Sequence, residues 1–108
     1  MEKIETTTCP AFAAQKVLSG KWKIIIIYHL STGTKRFNEI HRTLTGITQA
    51  SLTKQLREME VDQIIQRKVY PVVPPKVEYS LTVVGKKFLP VLAALCTWGK
   101  AYVAVKKT

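Results

Sequence analysis

The stretch GITQASLTKQLREME, residues 46–60, decides the fold because its polar and apolar positions follow the period of an α-helix. Thr48 is a typical N-cap residue, so the helix is predicted to begin directly after it. At about 100° per residue, one face is apolar and the opposite face carries short, cationic or amide side chains. The apolar face consists of Leu52, Leu56 and Met59. The opposite face consists of Ala50, Lys54 and Arg57, with Gln49 and Thr53 at its flank. The stretch therefore predicts a surface helix with a cationic outer ridge.

A second, shorter helix is predicted directly upstream, at NEIHRTL, residues 38–44. Asn38 is placed to cap it, and Ile40 and Leu44 lie four positions apart on one face. The segment TGIT, residues 45–48, predicts a tight turn between the helices. Two helices joined in this way form the helix-turn-helix arrangement that enters a DNA major groove. A solvated pair of amphipathic helices has the same spacing, so these residues alone leave both interpretations open.

A β-hairpin is predicted downstream, at RKVYPVVPPKVEYSL, residues 67–81. The segment PVVPP between its β-rich arms belongs at the tip, because proline cannot donate to a strand ladder. The prolines also limit the conformations of an exposed loop, and Lys76 at the base of the tip is placed to meet a phosphate or a narrow minor groove. A purely structural hairpin is the alternative. A helix pair followed by a hairpin in this order favours nucleic-acid binding.

Two further helices are predicted before this central unit. Residues 9–20 place Pro10 in a first helical position and Gly20 at the end of a short helix. The four isoleucines that follow favour a strand by propensity, but the flanks and length of KWKIIIIYHLSTG, residues 21–33, predict a helix. Because this helix is apolar on most sides, we expect it at the centre of the domain.

Residues 82–106 predict two helical segments, with Thr82 as the cap of the first and Pro90 in the first turn of the second. The apolar surface of the second segment is wider than one stripe. Such a surplus suits a two-fold dimer, which would place two reading helices on a palindromic site. In the alternative, the helix only covers its own core. The expected dimer residues are Val91, Leu95, Trp98 and Tyr102.

Length and composition narrow the classes of function. With 108 residues the chain forms one domain, and its net charge of +10 makes polyanions natural partners, although a charged solvated surface would have the same composition. The chain shows no signal-peptide pattern, so a cytoplasmic location is expected. The two cysteines and two histidines form no metal-ligand pattern, and no acid–base pair or phosphate loop is evident. We expect no enzyme activity, metal or cofactor.

These motifs, in their order, resemble the successive landmarks of the HxlR-type winged-helix transcriptional regulators, which are relatives of the MarR group. The resemblance implies a mainly α fold with a small β-hairpin, a winged helix-turn-helix with terminal dimerisation helices. It divides the single domain, residues 1–108, into an N-terminal arm (1–8), dimerisation helices (9–20 and 82–106) and a helix-turn-helix with its wing (36–81). It implies a homodimer that binds double-stranded DNA at a pseudo-palindromic operator and represses or activates nearby genes. The landmarks are CP, GKWK, RFNEI, GITQASLTKQLREME, RKVYPVVPPKVEYSLT, VGKKFLPVL and LCTWG, between Cys9 and Gly99.

The resemblance also identifies candidate DNA contacts, because it places a recognition helix on residues 48–60 and the tip of a wing on residues 70–76. Short polar side chains on that helix can hydrogen-bond base edges or phosphates, and its cations can neutralise phosphates, or read guanine in the case of Arg57. Arg36 and Lys76 would hold the DNA backbone on either side. The expected DNA-binding residues are Arg36, Thr48, Gln49, Ser51, Thr53, Lys54, Arg57 and Lys76.

The chain departs from the family pattern at two positions. Ala50 stands where the family often has a basic residue, so the site preference of relatives does not transfer directly. Gln63 stands where the family commonly has glycine. If Gln63 adopts a left-handed conformation, the strain is about 1 kcal/mol, too little to change the fold.

Cys9 is a candidate redox sensor. It precedes a predicted helix N-terminus, where free N–H groups and the helix dipole favour the thiolate, and part of the resembled family senses electrophiles or oxidants at this position. A small apolar residue in a dimer contact is the alternative, and Cys96 is expected in the core. A small-molecule effector near Trp22, Phe88 and Trp98 is a separate hypothesis, and a basic protein-interaction module without DNA binding is a third.

Overall fold

Six helices and a three-stranded sheet make up residues 9–107, the part of the chain that this computed structural model describes. The predicted mainly α winged helix-turn-helix is confirmed, whereas the predicted N-terminal arm, residues 1–8, lies outside the described residues. In chain order the elements are α1 (Pro10–Val17), α2 (Lys23–Leu30), β1 (Lys35–Arg36), α3 (Phe37–Thr43), α4 (Gln49–Val61), β2 (Ile65–Tyr70), β3 (Lys76–Leu81), α5 (Val83–Lys87) and α6 (Leu89–Lys106).

The isoleucine run forms helix α2, as predicted, and supplies the centre of the core. Ile26 and Ile27 are fully buried and Leu30 nearly so. They pack with the buried stripe of α4, which is the predicted set of Leu52, Leu56 and Met59. The expected place of α2 at the centre of the domain is confirmed, and the side of the helix that carries Ile25 and Tyr28 is exposed. Burial of one face is enough to determine a helix in a small domain, where a single layer of neighbours covers it.

The helix-turn-helix unit is fixed by short-range polar contacts. Helix α3 begins at Phe37, and the backbone N–H of Arg36 donates to Glu39 Oε1 at 2.9 Å. The prediction that Asn38 caps this helix is therefore wrong. The N-cap residue is Arg36, whose backbone N–H is satisfied by the Glu39 carboxylate, and Asn38 lies inside the first turn. The α3–α4 turn passes through Gly46 with a positive φ of 94°, which favours glycine.

The predicted cap of α4 is confirmed. The Ser51 backbone N–H donates to Thr48 Oγ1 at 3.0 Å, so the helix begins at Gln49. His41 stabilises the same turn from α3, since its Nε2 lies 3.0 Å from the carbonyl oxygen of Ile47. The direction in which α4 leaves the turn is thus set by contacts at both ends of the connection.

The hairpin pairs β2 with β3, and β1 adds to the other side of β3 in the antiparallel order β1-β3-β2. Directly paired residues share a face of the sheet. One face packs on the core through Ile65, Tyr79 and Leu81. The other face, called here the outer sheet face, carries Arg36, Gln66, Lys68, Tyr70, Lys76, Glu78 and Ser80.

The C-terminal helices leave a broad apolar surface uncovered. Thr82 caps α5 by accepting from the Gly85 N–H at 3.1 Å, and Pro90 lies in the first turn of α6, both as predicted. Leu92 is the buried residue of α6. The stretch Val83–Lys106 is long and apolar enough to cross a membrane by length and composition, and only 6% of its apolar window is buried. Cys96 is exposed, so its expected place in the core is wrong: it projects from the uncovered side of α6.

Candidate nucleic-acid interface

The outward face of α4 presents the predicted cationic ridge. Ala50, Lys54 and Arg57 are exposed, with Gln49 exposed at their flank. No acidic residue lies in the first turn of α4. Because a helix N-terminus carries a positive partial charge, this end of α4 has an electrostatic preference for anions that no nearby carboxylate on the first turn offsets.

The hydroxyl groups on α4 are partly committed to the helix itself. Thr53 Oγ1 donates to the Gln49 carbonyl at 2.9 Å, so its proton is used, and it can only accept from a base or bridging water. Thr48 Oγ1 accepts the capping bond and keeps its own proton to donate. Ser51 is half-buried. Gln49 therefore offers the least constrained hydrogen-bonding group among the predicted polar contacts.

Arg36 and Lys76 lie apart from this ridge, on the outer sheet face. Arg36 pairs in register with Glu78, and the Lys76 ammonium lies 3.5 Å from the Glu78 carboxylate. Lys68 pairs with Glu78 from the opposite strand and is a candidate contact that was not predicted from the sequence. The missed signal is the alternation of the two strands, which places Lys68 and Tyr70 on the same face as Lys76 once the register is known.

A narrow groove joins α4 to the sheet. Its volume is about 240 Å³. Side chains from the flank of α4 and from strand β2 line it. Arg67, which the sequence pattern alone does not identify as a contact, lines the groove together with Arg57. Glu60 adds a carboxylate to the same lining. The lining residues are Phe37, Thr53, Arg57, Glu60, Arg67 and Tyr79.

An ion pair attaches α4 to the core. Lys23 Nζ lies 2.7 Å from Glu58 Oε1, and the side chains are 8% and 41% exposed. The hydrogen bond from Lys23 lowers the pKa of Glu58 below its ordinary value of 4.5, and the charges of Lys23 and Lys54 act in the same direction. The pair lies beside a cavity of about 620 Å³ between α1 and α4. Helix α4 is thus held from beneath by α2.

Cys9 is half-buried and is the N-cap residue of α1, where its carbonyl accepts from the N–H groups of Phe12 and Ala13 at 3.0 and 3.1 Å. The three aromatic residues named for a small-molecule site behave differently from one another. Trp22 and Phe88 pack against the core, whereas Trp98 is 66% exposed and stacks on Tyr102. An apolar groove of about 330 Å³ beside Phe88 is lined by neither tryptophan.

Known proteins with similar sequences and structures point in one direction. The profile of the HxlR-like helix-turn-helix family matches residues 17–107. The HTH-type transcriptional regulator YdeP of Bacillus subtilis is 50% identical over 94 residues, which cover 87% of this chain and 73% of that protein. The redox regulator HypR in its reduced form is similar with a TM-score of 0.86 and 46% identity, covering 92% of this chain and 98% of that one.

A third similar protein is the reduced form of the transcriptional regulator YodB from B. subtilis. It has a TM-score of 0.76 and 37% identity, covering 84% of this chain and 90% of that one. These proteins are DNA-binding regulators, a class without enzymatic activity. The match extends across the capped recognition helix, the wing and both C-terminal helices. The chain therefore belongs to the HxlR-like helix-turn-helix family of transcriptional regulators, as its motifs predicted.

Proposed function

We propose that the chain acts in the cytoplasm as a homodimer that binds a pseudo-palindromic operator, with one α4 helix in each of two major grooves. The observation that carries this proposal is the exposed ridge of α4, which combines Lys54, Arg57 and Gln49 with a first turn free of carboxylates. Arginine and glutamine are the side chains that pair bidentately with guanine and adenine, and lysine neutralises phosphates. In this arrangement Arg36 and Lys76 bind the DNA backbone beside the major groove.

The uncovered surface of α6 supports the dimer. Val91, Leu95, Trp98 and Tyr102 recur at helical spacing and are all between 43% and 66% exposed, so they form an apolar face of the kind that marks an interaction site. A second copy of the chain covers such a face better than a membrane does. In a membrane, Lys100 would lie within the apolar span, where burying a charged side chain costs free energy. The other elements form a helix-turn-helix unit, which also fits a dimer that binds DNA.

The regulatory signal in this proposal is modification of Cys9. In an alkylation, the Cys9 sulfur bonds to an electrophilic carbon and the thiol proton passes to the adduct. HypR is described as a redox regulator, and Cys9 of this chain is the N-cap residue of α1, one of the helices predicted to form the dimer. The alternative is a regulator without a thiol switch, whose apolar effector occupies the groove beside Phe88.

Selective DNA binding tests the proposal first. A duplex is selected from a random pool, and its affinity is measured by fluorescence anisotropy at several salt concentrations. Lys54→Ala/Arg57→Ala is expected to lose sequence selectivity. The salt slope, which is the slope of the logarithm of the binding constant against the logarithm of the salt concentration, should fall in magnitude by about 0.9 for each phosphate that is no longer neutralised. Lys86→Ala/Lys106→Ala removes the same two charges from exposed positions outside α4 and is the matched control. Equal loss in both variants, or no selective binding by the wild type, would overturn the proposal.

The thiol switch needs a background in which only one cysteine reacts, because Cys96 is exposed. Cys96→Ser protein is therefore treated with N-ethylmaleimide and compared with Cys9→Ser protein treated in the same way. We expect DNA affinity to change only where Cys9 is present. If DNA affinity is unchanged after complete alkylation of Cys9, verified by mass spectrometry, the alternative is favoured, in which an apolar effector regulates the protein and no thiol switch operates.

A further inference from the structure

Glu78 has an unusual position for a carboxylate in a chain of net charge +10. It is the only acidic side chain after Asp62, and it lies in the middle strand of the sheet, among the cations of the outer sheet face. Its side chain is 23% exposed. A lone acid beside a DNA-binding surface would ordinarily weaken binding by repelling phosphates.

The strand register surrounds this carboxylate with cations. Arg36 pairs with Glu78 from β1 and Lys68 pairs with it from β2, so the three residues form one row across the sheet. Lys76 lies two residues away on the same strand, with its ammonium 3.5 Å from the carboxylate. Directly opposed side chains in a sheet are close enough to interact, which makes Glu78 the common neighbour of all three cations.

Tyr70 completes the cluster. It lies diagonally across the strand pair from Glu78, on the same face of the sheet. Its hydroxyl, followed by the charges of Lys76 and Arg36, lowers the pKa of the Glu78 carboxyl below its ordinary value. The Tyr70 ring lies 4.9 Å from Lys68 Nζ and 4.8 Å from Lys76 Nζ. An ammonium at this distance from an aromatic ring is attracted by the electrons of the ring. The two lysines are thus held between a carboxylate and an aromatic surface.

We propose that Glu78 is a positioning residue for DNA binding, which fixes Arg36, Lys68 and Lys76 as an array that receives the DNA backbone. This inference rests on the proposed function and adds Lys68 to its phosphate contacts. Long basic side chains have many rotamers, and ordering them at the moment of binding is unfavourable. Glu78 and Tyr70 order these basic side chains before DNA binds. The binding free energy gained in this way is larger than the free energy lost through repulsion between one carboxylate and the phosphates.

The inference predicts an effect opposite to that of simple charge. Glu78→Gln raises the net charge by one, and counterion release alone would then make DNA binding tighter. Disorder of the array makes it weaker. We expect Glu78→Gln to bind the selected duplex about fivefold to tenfold more weakly, with a salt slope lower by about 0.9 for each phosphate that the array no longer neutralises.

Asp62→Asn is the charge-matched control, because Asp62 is an exposed carboxylate at the C-cap of α4 and lines neither the outer sheet face nor the groove of Arg57 and Arg67. It removes one negative charge without touching the array, and we expect binding equal to or tighter than that of the wild type. Anisotropy titrations at four salt concentrations compare the three proteins, and thermal unfolding checks that each is folded. A merely structural role for Glu78 would lower the melting temperature without changing the salt slope of the remaining folded protein.

Tyr70→Phe is the second variant, since it removes the hydroxyl that lowers the pKa of Glu78 and keeps the ring that both lysines contact. It is expected to weaken binding in the same direction as Glu78→Gln, and by less, and it decides the question if Glu78→Gln does not fold. Binding by Glu78→Gln as tight as that of the wild type would overturn this inference alone. Absence of selective binding by the wild type would overturn the proposed function and this inference with it.

Discussion

Replacing Gly85 by alanine tests the packing that holds the wing against the C-terminal helices. A Cβ atom added at Gly85 would overlap the carbonyl oxygen of Ile64 and would lie 3.2 Å from the Ile64 carbonyl carbon. On its other side it would lie 3.4 Å from Leu81 Cδ2. The Ile64 carbonyl cannot retreat freely, because it accepts from the Thr82 N–H at 3.0 Å. Gly85 is therefore required by a close approach of two backbone segments.

The expected loss of stability combines three contributions. Forcing an extra carbon into this contact costs about 1–3 kcal/mol. Disturbing the hydrogen bond to Ile64 adds about 0.5–1.5 kcal/mol. Alanine in place of glycine within helix α5 returns about 1 kcal/mol through its higher helix propensity. The net destabilisation is about 2 kcal/mol, or a fall of about 8–16 °C in melting temperature for a domain of this size.

Urea and thermal unfolding followed by circular dichroism at 222 nm measure this loss, at one protein concentration because association shifts apparent stability. Gly99→Ala in helix α6 is the matched control, since a Cβ there meets no atom of another part of the described residues 9–107 within 4 Å. The control is expected to gain about 0.5–1 kcal/mol from the same change of residue. A Gly85→Ala protein as stable as Gly99→Ala would refute the steric argument.

Three further changes have defined outcomes. Gln63 has a φ of 62°, so Gln63→Gly should stabilise the protein by about 0.5–1 kcal/mol in urea unfolding, whereas Gln63→Ala, which keeps the strain, should not. Glu58 binds its proton less readily in the folded state, so it contributes stability above pH 4.5 that is lost as the pH falls through its lowered pKa; Glu58→Gln should be less stable at pH 7, and this difference should shrink on acidification. In the proposed dimer, Trp98→Ala should weaken association about 30-fold in sedimentation equilibrium, and the exposed Lys100→Ala should not.

The sequence predicts most of this fold because the deciding signals are local. The cap at Thr48 and the stripe of Leu52, Leu56 and Met59 lie within twelve residues of one another, and they determine where α4 begins and which face it buries. The hairpin is equally local, since its prolines exclude the tip from the sheet. Helix α2 is the exception, because its isoleucines favour a strand, and only burial in the shared core makes the helix the stable choice.

The parts that could not be predicted depend on contacts between distant segments. Lys23 and Glu58 are far apart in the chain, and their ion pair exists only because α2 and α4 cross. Lys68 becomes a candidate contact only when the register sets it opposite Glu78. The exposure of Cys96 follows from which side of α6 meets the core, and an apolar helix with little amphipathic asymmetry does not encode that choice.

The placement of the acids distinguishes a nucleic-acid surface from a chain that is basic only for solubility. Glu58 binds Lys23 beneath α4, and Glu78 binds Lys76 on the sheet. The first turn of α4, in contrast, has no acidic residue. An acid at that turn would stabilise the helix through its dipole, so its absence forgoes a common source of stability. Solubility gives no reason for such a gap, since scattered acids serve it equally well. Phosphate binding explains the absence of acids from this turn, because a carboxylate there would repel phosphates. Carboxylates outside the turn can order the cations that bind the phosphates.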